Sequence, residues 1–235
     1  MTQTQTPAAG QTSAARRPQR AQRPGRSQPA AGKTATRARG PRHPVLERLA
    51  GWHPELFGAQ PRPLKRGIYA DLLAAHPEEL DAEGLKAALA LHTRSTPYLI
   101  AVSAALPRHD LAGQAVEAMA PEHVLHALIE VFRRRQARSD EDLKPKLVQR
   151  IVQAFEASGL EREDYAALLP SRDASIRALF DAALEQAAAR AAKDAALHRA
   201  YLASGLEPTA FADSYGLPAG EVKRMLERIK QRGGA

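Results

Sequence analysis

A thirteen-residue segment occurs twice in this chain, and that repetition restricts the fold more than any other feature. Residues 154–166 read AFEASGLEREDYA and residues 200–212 read AYLASGLEPTAFA. Seven of the thirteen positions are identical, two more exchange one aromatic ring for another, and the offset is 46 residues. Helical repeat units have periods of that size. Each copy suits a helix closed by a glycine, Gly159 or Gly205, and followed by a second short helix. Two similar corners arising by chance in an alanine-rich chain are the alternative, but the shared SGLE block favours duplication. A long Ala-rich helix, roughly residues 172–203, joins the copies. Aromatic residues make up only 5% of the chain, which suits closely packed helices better than aromatic-rich strands. The expected class is mainly α.

The charge is segregated. Residues 1–43 hold nine basic residues (Arg16, Arg17, Arg20, Arg23, Arg26, Lys33, Arg37, Arg39 and Arg42) and no acidic one. They also lack Leu, Ile, Val, Phe, Tyr and Trp, so they cannot bury enough apolar surface to offset ordering entropy. A disordered Arg-rich arm is expected over 1–43. It suits salt-sensitive contact with phosphate backbones; a solubilising tail or an organelle-import segment would read similarly. The rest of the chain keeps 25 of the 34 basic residues against all 26 acidic ones, a formal charge of −1. Any anion site there must come from placement.

Cysteine is absent, which excludes disulfides, Cys-based zinc sites and thiol nucleophiles. No apolar run approaches the roughly 20 residues that span a bilayer, and no apolar segment of a secretory signal is present. A cytoplasmic protein without a membrane partner is expected.

Helical periodicity begins at Pro44, with Val45, Leu46, Leu49 and Trp52 on one face, and should end before His53-Pro54. Leu64, Ile68, Leu72 and Leu73 mark a second helix. A third follows Asp81, a suitable N-cap, with Leu85, Ala88, Leu89 and His92 inward. Asp110–Gln114 reads as a tight turn or short hairpin, and Pro121 opens a helix that reaches Arg133-Arg134-Arg135. The expected organisation is an arm at 1–43, a compact helical domain at 44–138 and a helical repeat region at 139–235.

The segment Thr93-Arg94-Ser95-Thr96-Pro97-Tyr98 carries the most suggestive chemistry. Ser or Thr followed by Pro marks a helix start, and a helix N-terminus favours a phosphate. Tyr98 could stack on a base. If the chain doubles back, Arg108 would face the same helix end. A capped helix with a surface arginine is the plain alternative.

Residues 61–113 resemble the ProQ/FinO domain of bacterial RNA chaperones. The matching stretches are Arg62-Pro63-Leu64-Lys65-Arg66-Gly67-Ile68-Tyr69 with Asp71-Leu72, then Leu89–Thr93 with Tyr98-Leu99, then Arg108-His109-Asp110-Leu111-Ala112-Gly113. Looser similarity runs from about 44 to 127. The resemblance implies a mainly helical domain with a short hairpin that binds structured RNAs, such as small RNAs and mRNA 3′ ends whose hairpin ends in a single-stranded tail. It implies post-transcriptional regulation by stabilisation or RNA–RNA annealing. Tyr98 and Arg108 match the residues of a pocket for the 3′ end. Lys65 and Lys86 match basic residues of the binding face, and Thr93 and Ser95 match hydroxyl residues before the pocket helix. Arg66 and Arg94 complete the expected RNA-binding set. Ala82 and Ala90 stand where the family often has Lys or Arg, and His92 and Thr96 where aromatics are frequent. Pro97 replaces a polar or basic residue. The arm would make up for part of the missing charge.

A second signal lies at Ala212…Gly216…Val222…Met225, which has helix-turn-helix spacing, with Lys223, Arg224 and Arg228 on the second helix. A DNA-binding, transcription-linked protein using segment 210–230 is therefore the alternative function. The first repeat copy has Pro170 in place of the turn glycine. His123 and His126 are three apart on one helix but lack the carboxylate set of a metal site. No Gly-rich phosphate loop or nucleophile elbow occurs. An enzyme is not expected, and the RNA-binding reading calls for no catalytic residue, metal or cofactor.

Overall fold

The computed structural model describes residues 43–169 and 173–233, with side chains through residue 230. The Arg-rich arm and Pro170 lie outside the described residues.

Proline sets both ends of the first element. Helix α1 (Pro44–Trp52) starts on a proline and stops at His53, whose φ of −130° and ψ of 67° leave the helical region before Pro54. A single turn, α2 (Pro54–Phe57), follows and buries Leu56 and Phe57. The second expected helix starts later than its apolar spacing suggested: α3 is Ile68–Ala75. Gly67 precedes it at φ 82°, a conformation that ends any continuous helix through Leu64. Leu64 instead forms an isolated parallel bridge with His109. Helix α4 (Ala82–Thr93) is capped as expected, with Asp81 Oδ1 accepting the Gly84 N–H at 2.6 Å.

Helix α5 (Thr96–Ser103) leads into strands β1 (Arg108–His109) and β2 (Ala115–Glu117), which pair antiparallel. Asp110 builds the turn: its Oδ1 accepts the N–H groups of Ala112 at 3.0 Å and Gln114 at 2.9 Å. Helix α6 (Pro121–Gln136) packs along α5 and buries Val124, Leu125, Leu128 and Val131.

Three elements follow: α7 (Lys144–Ser158), α8 (Arg162–Ala167) and α9 (Ala174–Ser204). The core does not pause at 138/139, where the sequence suggested a boundary. One apolar cluster runs from Val45 through Leu147, Ile151, Tyr165 and Phe180 to Ala187. Helix α7 therefore packs on α6 as well as on α9. A second cluster gathers Phe211, Ala212, Val222 and Met225, with Leu197, Ala200 and Tyr201 of α9 packed against it. It involves α10 (Pro208–Ser214) and α11 (Ala219–Gly233). The 31-residue α9 thus serves both clusters.

The two repeat copies reproduce one another down to single hydrogen bonds. Ser158 Oγ donates to Phe155 C=O at 2.7 Å and accepts the Leu160 N–H at 3.2 Å. Ser204 makes the same pair with Tyr201 C=O at 2.7 Å and Leu206 N–H at 3.2 Å. Gly159 and Gly205 close the helices at φ 66° and 63°. Tyr165 and Phe211 occupy equivalent, fully buried places. Tyr165's hydroxyl has no hydrogen-bond partner among the described residues, and burial pushes its pKa up to about 12. Phe211 fills that place without a hydroxyl.

Candidate nucleic-acid interface

A single backbone residue brings the two matched pocket residues together. Leu64 donates its N–H to Tyr98 Oη at 3.1 Å, and its C=O accepts Arg108 Nη1 at 3.0 Å. The parallel bridge holds Leu64 in place: Lys65 N–H donates to His109 C=O and His109 N–H to Pro63 C=O, both at 2.8 Å. Arg108 also lies 3.6 Å from Glu117 through Nε, with its side chain 14% exposed. These contacts occupy part of a five-donor fork and fix its direction.

Tyr98 and Arg108 border an open cleft of about 500 Å³ between the α4–α5 corner, β1 and α6. Thr93 and Arg94 line one side; His123, His126, Glu130 and Arg134 of α6 line the other. Three guanidiniums and two imidazoles therefore surround a space with one carboxylate among its lining groups. Arg134 reaches across from α6, donating through Nη1 to Arg94 C=O at 2.8 Å and Thr96 Oγ1 at 3.1 Å. Glu130 stands 3.9 Å from Arg134 and 3.2 Å from Arg133.

Two expectations about this site change. Tyr98 is only 6% exposed, so its ring cannot serve as a free stacking platform for a base. Burial raises its pKa above the usual value, while the Leu64 hydrogen bond and Arg108 oppose the shift. It is a neutral phenol in the cleft wall. The start of α5 is also less open to an anion than the Ser-Thr-Pro pattern suggested. Ser95 Oγ already accepts the Tyr98 N–H at 3.3 Å, and Pro97 has no N–H to offer. An anion at this helix end would meet mainly side chains.

The remaining expected residues divide by location. Thr93 and Arg94 line the cleft, although Thr93 Oγ1 donates back to Leu89 C=O at 2.8 Å. Lys65 pairs with Asp71 at 2.7 Å, and that hydrogen bond raises its pKa. Arg66 pairs with Glu117 at 2.9 Å. The Glu117 carboxyl is held below the usual range, first by the Arg66 backbone N–H and then by the Arg66 side chain and Arg108. Lys86 is exposed on α4. Lys65, Arg66 and Lys86 therefore stand outside the cleft lining. The α6 wall was missed by sequence reasoning, though its spacing carries a signal: 123, 126, 130 and 134 fall on one helical face. Among the described residues, no group of three or more His, Asp or Glu could hold a metal ion, and no helix is long and apolar enough to cross a membrane.

His92 supports the cleft from behind. It is 6% exposed, with its ring 4.8 Å from Phe57 and 5.2 Å from Tyr98. Burial pushes its pKa down to about 4, opposed by a backbone hydrogen bond with Leu56. The unfolded chain, with an ordinary value near ~6.5, takes up the proton first. Stability is thus full above ~6.5 and is lost as pH falls toward about 4, by about 3 kcal/mol in all. Urea unfolding at pH 7 and near pH 4 should show His92→Phe losing much less stability than wild type. Equal losses in the two proteins would place the acid lability elsewhere.

Residues 40–144 match the model of the ProQ/FINO family. The match takes in α1 through α6, including Glu130 and Arg134 of the α6 wall, which lie beyond the stretch of looser resemblance at about 44–127. The chain thus carries a ProQ/FinO domain, the hallmark of a family of RNA-binding proteins, in its residues 40–144.

Proposed function

We propose that the cleft takes the single-stranded 3′ end of a structured RNA, and that the protein acts post-transcriptionally by protecting such RNAs or pairing them with others. The observation that carries this reading is the convergence of Arg94, Arg108 and Arg134 on one cleft whose neutral wall is Tyr98. Guanidinium forks match the geometry of phosphate oxygens and remain charged at any working pH. A volume of about 500 Å³ falls in the range of sites that enclose small ligands, which suits a terminal nucleotide rather than a duplex. His123 and His126, exposed on α6, offer flat rings for base stacking in place of the buried Tyr98. Lys65, Arg66 and Lys86 would meet the stem backbone, and the nine basic residues of the arm would add salt-sensitive affinity. Small RNAs and mRNA 3′ ends are the proposed partners, met in the cytoplasm. This role requires neither catalysis nor a cofactor.

A terminator-type hairpin titrated with and without its single-stranded 3′ tail tests the proposal. The tail should raise affinity by roughly tenfold or more, the worth of one charge-assisted hydrogen bond. Equal affinity for the two RNAs would rule out an end-binding cleft.

A further inference from the structure

Duplication has left two helical corners with matching interiors and different exteriors. Inside, Ile176 and Val222 are buried at equivalent positions, as are Tyr165 and Phe211. Outside, Lys223, Arg224 and Lys230 of α11 stand where the first copy has Arg177, Ala178 and Leu184. Leu184 is buried in the first core, whereas Lys223, Arg224 and Lys230 are exposed. Lys223 thus keeps the cation of Arg177, and Arg224 and Lys230 add two where the first copy has apolar residues.

The way α11 is anchored leaves that face outward. Val222 and Met225 are buried against α9 and α10. Arg228, grouped by sequence with Lys223 and Arg224 on the second helix, is committed: it binds Asp194 through two hydrogen bonds of 2.8 and 2.7 Å. Glu221 is held by Lys193 at 2.7 Å. Glu227 is the acidic residue among the exposed positions of α11 described here. The turn before the helix is tight, with Gly216 at φ 63° and Leu217 N–H donating to Ala212 C=O at 2.8 Å. Exposed Ala219 and Gly220 then open α11 with almost no side-chain bulk.

We infer that the C-terminal half of α9, with α10 and α11, forms a helix-turn-helix unit that binds duplex DNA, with α11 in the major groove. Its cations complement the phosphates that flank the groove. Groove shape selects DNA over duplex RNA: B-DNA's major groove, about 12 Å wide, admits a helix of about 10–12 Å diameter. The deep, narrow major groove of A-form RNA does not. This surface shares no residue with the ProQ/FinO cleft lining.

The test uses the full chain, so that the basic arm contributes equally throughout. Binding of a labelled DNA duplex and of a tailed RNA hairpin is measured across a salt series. The proteins are wild type, Lys223→Ala/Arg224→Ala, and a charge-matched control, Lys144→Ala/Arg162→Ala, at exposed positions of α7 and α8. The α11 pair should weaken duplex binding about tenfold or more and flatten its salt dependence by about two phosphate contacts. Hairpin binding should be unaffected, and the control pair should change duplex binding by less than about threefold. Equal losses from both pairs, or no loss from either, would overturn the inference. So would a loss of hairpin binding with duplex binding intact, which would make α11 part of the RNA surface.

Discussion

Arg108→Ala should lower the affinity for a tailed RNA hairpin about 100-fold, a loss of about 3 kcal/mol. The size follows from the setting. Arg108 is 14% exposed, aimed by Leu64 C=O and Glu117, and borders the cleft beside Tyr98. A phosphate there would meet a preorganised fork with little ordering left to do. Arg108→Lys keeps the charge but loses the planar two-point geometry, so it should recover only part of the affinity. Tyr98→Phe separates binding from scaffolding. It removes the Leu64 N–H bond and should cost about 1 kcal/mol of stability with a smaller effect on RNA. Thermal unfolding of each variant accompanies the titrations. An Arg108→Ala protein that stays folded and binds within about threefold of wild type would remove this residue from the RNA site.

Asp194→Ala should unfold the C-terminal unit selectively. Asp194 is 2% exposed in α9 and holds Arg228, whose side chain is 24% exposed, through both guanidinium contacts. That hydrogen bond is the largest cause of the raised Arg228 pKa. Removing one member of such a pair leaves an uncompensated charge at a cost of about 3–5 kcal/mol. Among the described residues, Phe211, Ala212, Val222 and Met225 are the buried members of this cluster, and a core so small has little stability to spare. Hydrogen exchange should then show α10 and α11 losing protection while α5 and α6 keep theirs. Unchanged protection in α11 would mean that the pair is not what holds this helix.

The elements that sequence reasoning located well are those with local chemistry at their ends. Asp81 and Ser95 cap, Pro44 and Pro121 start helices, and Gly159 and Gly205 finish them. Each signal acts within a turn or two of itself. The Leu64 assignment failed because Leu64, Ile68 and Leu72 happen to share helical spacing. Gly67, at φ 82°, overrides that pattern, and Leu64 is bound instead to His109, Tyr98 and Arg108.

The cleft was half legible. Family resemblance placed Tyr98 and Arg108 together, and the structure joins them through one backbone residue. Nothing local to Tyr98 says that its hydroxyl finds a partner 34 residues earlier in the chain and that its ring is thereby buried. The α6 wall was hidden for a related reason. Periodicity shows that 123, 126, 130 and 134 share a face, but not which other element that face meets. The change at residue 139 was read from the onset of the repeat. Leu147 and Ile151 carry the core across it, because an apolar stripe does not name its partner.

On the proposed function, an RNA 3′ end occupies the cleft. A hairpin carrying a photoreactive base as its last nucleotide, crosslinked to the full chain and mapped by peptide, tests this most directly. Adducts should fall on peptides that contain Arg94, Arg108, His123, His126 or Arg134. Adducts confined to the Arg-rich arm or to α11 would contradict it.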